Sequence, residues 1–207
     1  MLGTADTLGS GPRRSARSHA AILKAALQVV DRRGYANASI EEIAAEAGVG
    51  KQTIYRWWPN KGALFIEVYG RLVPPDIVIR DTGRIAGDLD ALLTQLSRVY
   101  SNTPAGVILS GLIAEGQTAG ALADQLREAY VVPRRAIIRS IFERAAVRGE
   151  IDPLADSDFA SDLLSGAVWF RLLLGTHRLD RKFRRQLVEA VVRGVAGLEG
   201  SGSENTG

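Results

Sequence analysis

The segment from Ser39 to Lys61, SIEEIAAEAGVGKQTIYRWWPNK, contains the side chains with the clearest capacity for specific recognition chemistry. Two short helical stretches flank the glycine-containing turn Gly48–Gly50, a pattern typical of a helix-turn-helix unit. In such a unit the second helix enters the DNA major groove, where its outward side chains meet base edges. The pattern therefore predicts contact with double-stranded DNA, although similar turns also occur in all-α proteins that bind nothing.

Helical spacing divides the second of these stretches into an inward and an outward face. Ile54 and Trp58 are four residues apart, share one face and are apolar, so this face is expected to pack inward. The opposite face then carries Gln52 and Arg56, with Thr53 to one side. An arginine can form a bidentate contact with guanine and a glutamine with adenine, so these three residues are candidates for base recognition.

The flanks of the same stretch carry groups suited to the DNA backbone. Ammonium, phenol and indole groups can all donate hydrogen bonds to phosphate oxygens; these candidates are Lys51, Tyr55, Trp57 and Lys61. Ser39 begins the preceding helix, whose free backbone N–H groups could face another phosphate. A solvated surface of the same composition would need no partner, and the spacing alone leaves that alternative open.

The elements that must position these residues are helical. The predicted helices cover about 15–33, 39–47, 51–58, 60–73, 88–100, 104–117, 119–148, 156–174 and 180–198. Their limits follow from local signals: a capping box from Ser39 to Glu42, and a glycine stop at Gly34. An interior proline, Pro133, predicts a bend. We therefore expect an all-α fold of about nine helices, with a three-helix head and a helical-bundle body.

Composition and charge assign different roles to the two parts of the chain. The first 73 residues hold ten Lys and Arg against six Asp and Glu, whereas the remainder is nearly balanced, so the head is the part suited to an anionic partner. The predicted domains are a disordered basic arm (1–14), a DNA-binding head with a linking fourth helix (15–73), an effector-binding and dimerisation body (74–198) and a disordered tail (199–207).

Residue usage also excludes several classes of site. The chain has no cysteine, which excludes disulfides, thiol nucleophiles and cysteine-ligated metal centres. Its two histidines, His19 and His177, cannot form a multi-histidine metal cage, so neither a metal nor a cofactor is expected. The amino-terminal segment has no apolar core typical of a secretory signal, and no apolar stretch has the length of a membrane helix, so a cytoplasmic location is expected.

The run SIEEIAAEAGVGKQTIYRWWPNKGALF resembles the DNA-binding segment of the TetR family of bacterial transcription regulators, and the likeness extends from Ile22 to about Tyr69. This resemblance implies an all-α homodimer whose heads bind a palindromic operator and whose body binds a small effector. By position it implies phosphate contacts from Tyr55 and Lys61, and base or backbone contacts from Lys51, Gln52, Thr53 and Trp57. Trp57 departs from the family, which often has histidine or another polar residue there.

Two helices of the body carry apolar residues on more sides than one core can cover. Such helices must be buried on most sides, either by a partner chain or within a monomer core. Pairing would place two heads on half-sites ~34–36 Å apart, which favours the dimer. The candidate interface residues are Leu163, Ala167, Phe170, Leu174, Phe183, Leu187, Val191 and Val195.

A second set of body residues is a candidate lining for an effector cavity: Leu96, Tyr100, Ile108, Leu112, Glu115, Ile138, Phe142 and Trp169. Each of these residues taken singly could equally occupy an ordinary position in the hydrophobic core, and only the family resemblance favours a cavity. A lining of this composition predicts an apolar or amphipathic effector.

An enzyme is disfavoured, because the acids Asp152, Asp156, Asp158 and Asp162 have the placement of a helix start, and no nucleophile–base pair is visible. The sequence thus predicts a DNA-binding transcriptional regulator, a repressor released by an effector. Its alternative is a DNA-binding regulator or architectural protein without an effector.

Overall fold

The computed structural model describes residues 12–74, 77–175 and 178–195, which are helical through most of their length and contain no strand. The helices are α1 (Pro12–Asn37), α2 (Ile40–Ala47), α3 (Lys51–Tyr55), α4 (Lys61–Leu72), α5 (Ile85–Asn102), α6 (Ala105–Gly116), α7 (Gly120–Leu126), α8 (Val132–Val147), α9 (Ser157–Leu174) and α10 (Arg181–Val195). A π-helical turn, Arg127–Val131, joins α7 to α8, so these ranges form nine continuous helices. The prediction of an all-α fold is confirmed.

Local signals in the sequence set several helix ends. Gly34 has φ +72° and interrupts α1 where the glycine stop is predicted. The Ser39 hydroxyl accepts a hydrogen bond from the Glu42 N–H at 3.1 Å and caps α2. The Asn60 side chain likewise accepts from the Ala63 N–H at 2.8 Å before α4. Each cap provides a partner for one of the N–H groups that a helix start leaves free.

Several helix limits differ from the prediction: α1 runs from Pro12 to Asn37 rather than over 15–33, and the third and fifth helices differ for local reasons. The third helix ends at Tyr55 rather than Trp58, because the Trp57 N–H donates to the Ile54 carbonyl three residues earlier and tightens the turn. The fifth helix begins at Ile85 rather than Asp88. Asp88 is fully buried inside that helix, so its carboxylate serves a tertiary contact instead of a cap.

The proline within the predicted long helix is accommodated by the π-helical turn. Pro133 has no N–H to donate to the carbonyl four residues earlier. Immediately before it, the Val132 N–H donates to the Arg127 carbonyl five residues earlier. The wider turn lets the helix continue through the position where a bend is predicted, and π-helical turns often mark functional positions.

The chain divides into two compact units, residues 1–68 and 69–207, and the division falls inside α4. The described residues of the first unit bury apolar side chains of α1–α4, among them Ile22, Ile43, Ile54 and Phe65. Those of the second unit bury residues of α5, α6 and α8, among them Leu89, Leu92, Ile108 and Ile141. The predicted residues 1–11 of the arm and the tail 199–207 lie outside the described residues, and the finer domain limits stay predictions.

Asp88 is the centre of a buried ionic cluster in the second unit. Its carboxylate accepts hydrogen bonds from the Thr82 hydroxyl at 2.7 Å and the Thr82 N–H at 2.8 Å. The Arg144 guanidinium lies 3.3 Å away on the other side. Burial acts to raise the pKa of this carboxyl, but the hydrogen bonds from Thr82 and Arg144 outweigh it, and the pKa lies below its ordinary value.

Candidate nucleic-acid interface and ligand cavity

The turn between α2 and α3 depends on a left-handed glycine. Gly48 has φ +64°, ψ +35° and caps α2 through its own N–H, which donates to the Ala44 and Ala45 carbonyls. A Cβ at Gly48 would meet no atom within 4 Å, so the backbone conformation rather than space requires glycine here. Ion pairs from Arg32 to Glu46 at 2.7 Å and from Arg33 to Glu42 at 3.4 Å join α1 to α2.

The inward face of α3 lies where helical spacing predicts it. Ile54 is fully buried and Trp58 is 5% exposed, while Val49 of the preceding turn is half-buried. These side chains anchor α3 to the rest of the head. Because the apolar face is buried, the remaining side chains of α3 and its final turn must point outward.

The outward residues are accessible in the described structure. Gln52 and Arg56 are exposed, Thr53 is half-buried, and no ion pair or hydrogen bond engages the side chains of Gln52 and Arg56 among the described residues. Tyr55 and Trp57 are 49% and 41% exposed. This surface offers amide, guanidinium and phenol groups to a groove and its phosphates.

Three other predicted contacts already have partners within the head. The Ser39 hydroxyl caps α2, so its backbone rather than its side chain is the group available to a phosphate. Lys51 pairs with Glu41 at 2.9 Å, which raises the Lys51 pKa and lowers the Glu41 pKa, mainly through their hydrogen bond. The Lys61 ammonium donates to the Tyr35 carbonyl at 3.2 Å and lies 4.4 Å from the centre of the Tyr35 ring. An ammonium has two further donors, so Lys61 is held in place with hydrogen-bonding capacity left.

His19 forms a cluster with the two tryptophans that sequence analysis did not identify. Its ring stacks on Trp58 with centroids 4.8 Å apart and meets Trp57 edge-on at 4.9 Å. Glu67 accepts a hydrogen bond from the Trp58 indole at 3.0 Å and lies 3.3 Å from His19. The cluster connects α1, the end of the recognition segment and α4, so Trp57 is positioned by packing. No local pattern could indicate this, because the partners are distant in the sequence.

The second unit contains a cavity of about 540 Å³ between α6, α7, the π-helical turn, α8 and α9. Its lining includes the apolar side chains of Ile113, Leu126 and Val131, together with Tyr130 and Trp169. A cavity of this size fits the range of small-molecule sites.

The predicted cavity residues are placed in five different environments. Trp169 lines the cavity, and Leu96 and Ile138 border a narrow gap that shares Trp169 with it. Ile108 and Leu112 are fully buried in the core, because α6 lines the cavity with Ile113 and Gly116, and Gln117 does so just after the helix. Tyr100 and Glu115 lie outside the lining, and Phe142 borders a separate surface groove.

The cavity also contains a charged residue that the sequence did not indicate, Arg134, beside the predicted Trp169. Arg134 is 4% exposed, and its Nε and Nη1 atoms have no hydrogen-bond partner among the described residues. The Trp169 Nε1 atom is also buried without a partner. The neighbouring Arg135 also has a buried Nε atom without a partner among the described residues, but its Nη2 atom pairs with Asp162 at 2.6 Å. Helical spacing predicts apolar lining positions but cannot show which charged residues a fold leaves unpaired.

The candidate dimer residues of α9 form an exposed apolar stripe. Phe170 and Leu174 are each 60% exposed, Leu163 is 38% exposed and Ala167 is half-buried. Phe159, one turn earlier, extends the stripe and is 52% exposed.

The candidate residues of α10 are less accessible. Phe183, Leu187 and Val195 are half-buried, and the Arg171 guanidinium covers the Phe183 ring at 3.7 Å. Val191 is 1% exposed and lies in the chain's own core, so it has no surface to offer a partner. Val191 continues the four-residue spacing of the candidate residues, but at this position α10 faces the interior of the unit.

The acids weighed as catalytic candidates have structural partners. Asp156 caps α9 by accepting from the Asp158 and Phe159 N–H groups, and Asp158 pairs with Arg139 at 3.3 Å. His177 lies outside the described residues. Within the described ranges, no group of three His, Cys, Asp or Glu residues could hold a metal ion. No helix in those ranges is both long and apolar enough to cross a membrane.

Two family profiles match the chain. Residues 22–68 match the profile described as bacterial regulatory proteins, tetR family. Residues 79–191 match a profile described as tetracyclin repressor-like, C-terminal domain. The first range covers the head helices described above, and the second covers the cavity and the exposed stripe.

Individual proteins are similar along most of their length. The HTH-type transcriptional regulator YdeS of Bacillus subtilis is 30% identical over 89% of this chain and 93% of its own. The DNA-binding transcriptional repressor TetR of Mycobacteroides abscessus is 31% identical over 84% of this chain and 90% of its own. The crystal structure of the TetR family transcription regulator SCO0332 superposes with a TM-score of 0.70 and 36% identity, covering 86% of this chain and 98% of that one.

Proposed function

The chain belongs to the TetR family of bacterial regulatory proteins, and we propose that it is a repressor that binds a palindromic DNA operator as a homodimer. The observation that carries this proposal is α3, whose apolar face is buried while Gln52 and Arg56 are exposed. The similarity to a named transcriptional repressor of Mycobacteroides abscessus supports repression as the outcome of binding. Such a protein acts in the bacterial cytoplasm, at the nucleoid, and needs neither cofactor nor catalytic group.

The contacts with DNA divide into base recognition and positioning. Gln52 and Arg56 reach base edges, with Thr53 beside them, because the major groove presents the acceptor patterns that they match. Tyr55, Lys61, Lys51 and the backbone at Ser39 contact phosphates and set the register of α3. Trp57 packs on the sugar-phosphate edge, since its ring is held by His19 and is only partly exposed.

Dimerisation uses the exposed stripe of α9 together with the adjacent surface of α10. A single short recognition helix contacts few base pairs, and two heads related by a twofold axis read two half-sites. Four of the stripe's large side chains are exposed in one chain, which favours a second copy as their cover; these are Phe159, Leu163, Phe170 and Leu174.

A small effector binds in the cavity and shifts the protein towards a state with lower operator affinity. Tyr130 on the cavity wall lies 3.3 Å, oxygen to oxygen, from Tyr100, which lies 2.8 Å from Tyr69 of α4. A ligand that moves Tyr130 therefore changes the contacts of α4, the helix that continues into the DNA-binding head. The effector can reduce operator affinity only by as much as it prefers the second state.

The alternative is a DNA-binding protein without an effector. The cavity, with its buried Arg134 and Trp169 donors, favours the effector-responsive form, because an architectural protein has no use for such a space. A thermal-shift screen of small molecules separates the two: ligands that stabilise the protein and lower its operator affinity support the regulator, and a screen without such ligands supports the alternative.

The test of DNA binding uses DNA that flanks the protein's own gene, measured by mobility shift, with selection from random sequences if that DNA does not bind. Tyr55→Ala combined with Lys61→Gln is expected to weaken binding by about a hundredfold, and the glutamine keeps a donor for the Tyr35 carbonyl. Arg98→Gln, which removes an exposed charge from α5, outside the proposed DNA and dimer contacts, is the control.

Salt dependence provides a second readout of the same complex. Affinity should fall roughly 10³-fold between about 50 and 200 mM salt if the dimer neutralises six or more phosphates. Loss of one lysine from each head should also reduce the slope of that dependence. Failure of both flanking DNA and random-sequence selection to bind the wild-type protein would contradict the proposed function.

A further inference from the structure

We propose that the cavity of the second unit binds an amphipathic organic oxyanion, whose carboxylate or phosphoryl group pairs with Arg134. This proposal rests on the proposed function for the statement that the ligand is an effector, but the binding itself is argued from the cavity alone. The charge requirement goes beyond the apolar or amphipathic ligand that the sequence predicts.

Among the described residues of this unit Arg134 is buried, whereas Arg135, Arg144 and Arg148 are half-buried. Arg144 and Arg148 lie within 4 Å of the buried Asp88 carboxylate, and Arg135 has Asp162 at 2.6 Å. Arg134, although only 4% exposed, has no carboxylate within salt-bridge distance among the described residues. An unpaired buried guanidinium is costly, so a fold that retains one has a use for its charge.

The contacts that Arg134 does make leave its hydrogen bonds unused. The guanidinium lies 5.5 Å from the centre of the Tyr130 ring, which provides electrostatic attraction but no acceptor for Nε or Nη1. Arg134 lines both the cavity and the narrow gap beside it, so the residue with unused hydrogen-bond donors is part of the wall of the space that a ligand would occupy.

Three polar side chains near Arg134 can also donate hydrogen bonds to an acceptor in the cavity. The Trp169 indole N–H is a donor only, is buried and has no partner in the part of the chain that the structure describes. The Ser161 and Ser165 hydroxyls line the same cavity from α9. The acid in the lining, Asp162, is engaged by Arg135, and Arg127 is engaged by Asp124 at 2.8 Å. A group that accepts several hydrogen bonds and is negatively charged fits this arrangement, whereas an ammonium group does not.

The remaining lining specifies the body of the ligand. Ile113, Ala123, Leu126 and Val131 present apolar surface from α6, α7 and the π-helical turn. The same turn brings Tyr130 to the wall, next to Arg134. The site therefore fits an apolar body with one oxyanion end, in a volume of about 540 Å³.

The test compares two fluorescent probes with the same aromatic body: anilinonaphthalene sulfonate, which is anionic, and phenylnaphthylamine, which is neutral. We expect the full-length wild-type protein to bind the sulfonate about tenfold or more tightly than the neutral probe, since a charged hydrogen-bonded pair distinguishes them. Arg134→Met should abolish this preference and leave the neutral probe's affinity within about threefold, because the substitution keeps the apolar stem.

Arg139→Met is the matched control, because Arg139 lies on the same helix, is exposed and pairs with Asp158 outside the cavity. It should leave both affinities unchanged. Trp169→Phe keeps a ring but removes the N–H, and should weaken the sulfonate several-fold while sparing the neutral probe. If circular dichroism shows that Arg134→Met does not fold, Trp169→Phe still tests whether donors in the cavity bind the sulfonate.

Competition then identifies the oxyanion. Decanoate, decyl phosphate and decanol are each added to the complex of the protein with the sulfonate probe. Displacement of the probe by decanoate or by decyl phosphate, but not by decanol, supports the proposal. The more effective of the two anions assigns the oxyanion as a carboxylate or a phosphoryl group. The proposal would be overturned if decanol displaced the sulfonate equally well, or if the wild type bound the two probes equally or bound neither. An unchanged preference for the sulfonate in Arg134→Met would also overturn the proposal.

Operator binding is measured separately with the same ligands. An anion that binds through Arg134 without changing operator affinity would contradict the effector role but not this inference. Release of the operator by a neutral ligand, independent of Arg134, would contradict this inference but not the effector role.

Discussion

Phe170 offers the most direct test of the proposed dimer. Its side chain is 60% exposed in one chain, and a phenylalanine has roughly 200 Å² of surface, so about 120 Å² is available to be covered. At ~25 cal/mol per Å² of apolar surface, covering it stabilises the dimer by about 3 kcal/mol in each protomer. Alanine retains part of this area, so Phe170→Ala should lose about 2 kcal/mol per protomer.

Twofold symmetry doubles the effect, because each interface of this type contains the residue twice. The loss of about 4 kcal/mol corresponds to a roughly thousandfold weaker dimer. Sedimentation equilibrium over a range of protein concentrations measures this dissociation constant directly. The melting temperature of the variant at a concentration where the wild type is monomeric should change little, since the side chain is exposed there.

Leu154→Ala is the matched control. Leu154 is 91% exposed but lies between α8 and α9, outside the stripe. It removes exposed apolar surface without removing proposed interface. The interface would be refuted if Phe170→Ala dimerised as tightly as the wild type, if Leu154→Ala weakened the dimer equally, or if the wild type were monomeric at all accessible concentrations.

Three further predictions concern the turn, the buried acid and the coupling between sites. Gly48→Ala should destabilise the protein by about 1–2 kcal/mol because of its positive φ, while Gly70→Ala, inside α4, should stabilise it by up to about 1 kcal/mol; chemical denaturation of both variants checks the contrast. Because the pKa of Asp88 is lowered in the folded state, its ionised carboxylate stabilises the fold fully above the unfolded-state pKa of about 4. This stabilisation is lost as pH falls through the lower pKa of the folded state. Asp88→Asn should therefore lower the free energy of unfolding by about 3 kcal/mol at neutral pH, because it leaves Arg144 without its counterion. Urea titrations should show a smaller loss in acid. An equal loss at every pH would count against this explanation. Tyr100→Phe should leave ligand affinity nearly unchanged but reduce the effect of the ligand on operator affinity, measured by fluorescence anisotropy; undiminished coupling would exclude the tyrosine contacts as the route.

Much of the fold follows from local signals in the sequence. The glycine at 34, the cap at Ser39 and the cap at Asn60 act through hydrogen bonds and backbone conformations within a few residues of each helix end. The spacing of Ile54 and Trp58 identified the inward face of α3 for the same reason, because helix periodicity relates residues one turn apart.

The sequence also determined the family, and with it the role of the exposed α3 residues as candidates for DNA contact. Tertiary structure decided which partners these residues have. Lys61 meets the carbonyl of Tyr35, and His19 packs against Trp57, across separations in the chain that helix periodicity cannot relate.

The cavity shows the same division most clearly. Spacing along α6 indicates that Ile108 and Leu112 share a face, but whether that face meets core or cavity depends on how neighbouring helices pack against it. Composition likewise counts arginines and acids without pairing them. Only the fold brings Asp162 to Arg135 and leaves the adjacent Arg134 buried without a carboxylate, because pairing depends on distances in space that local sequence does not specify.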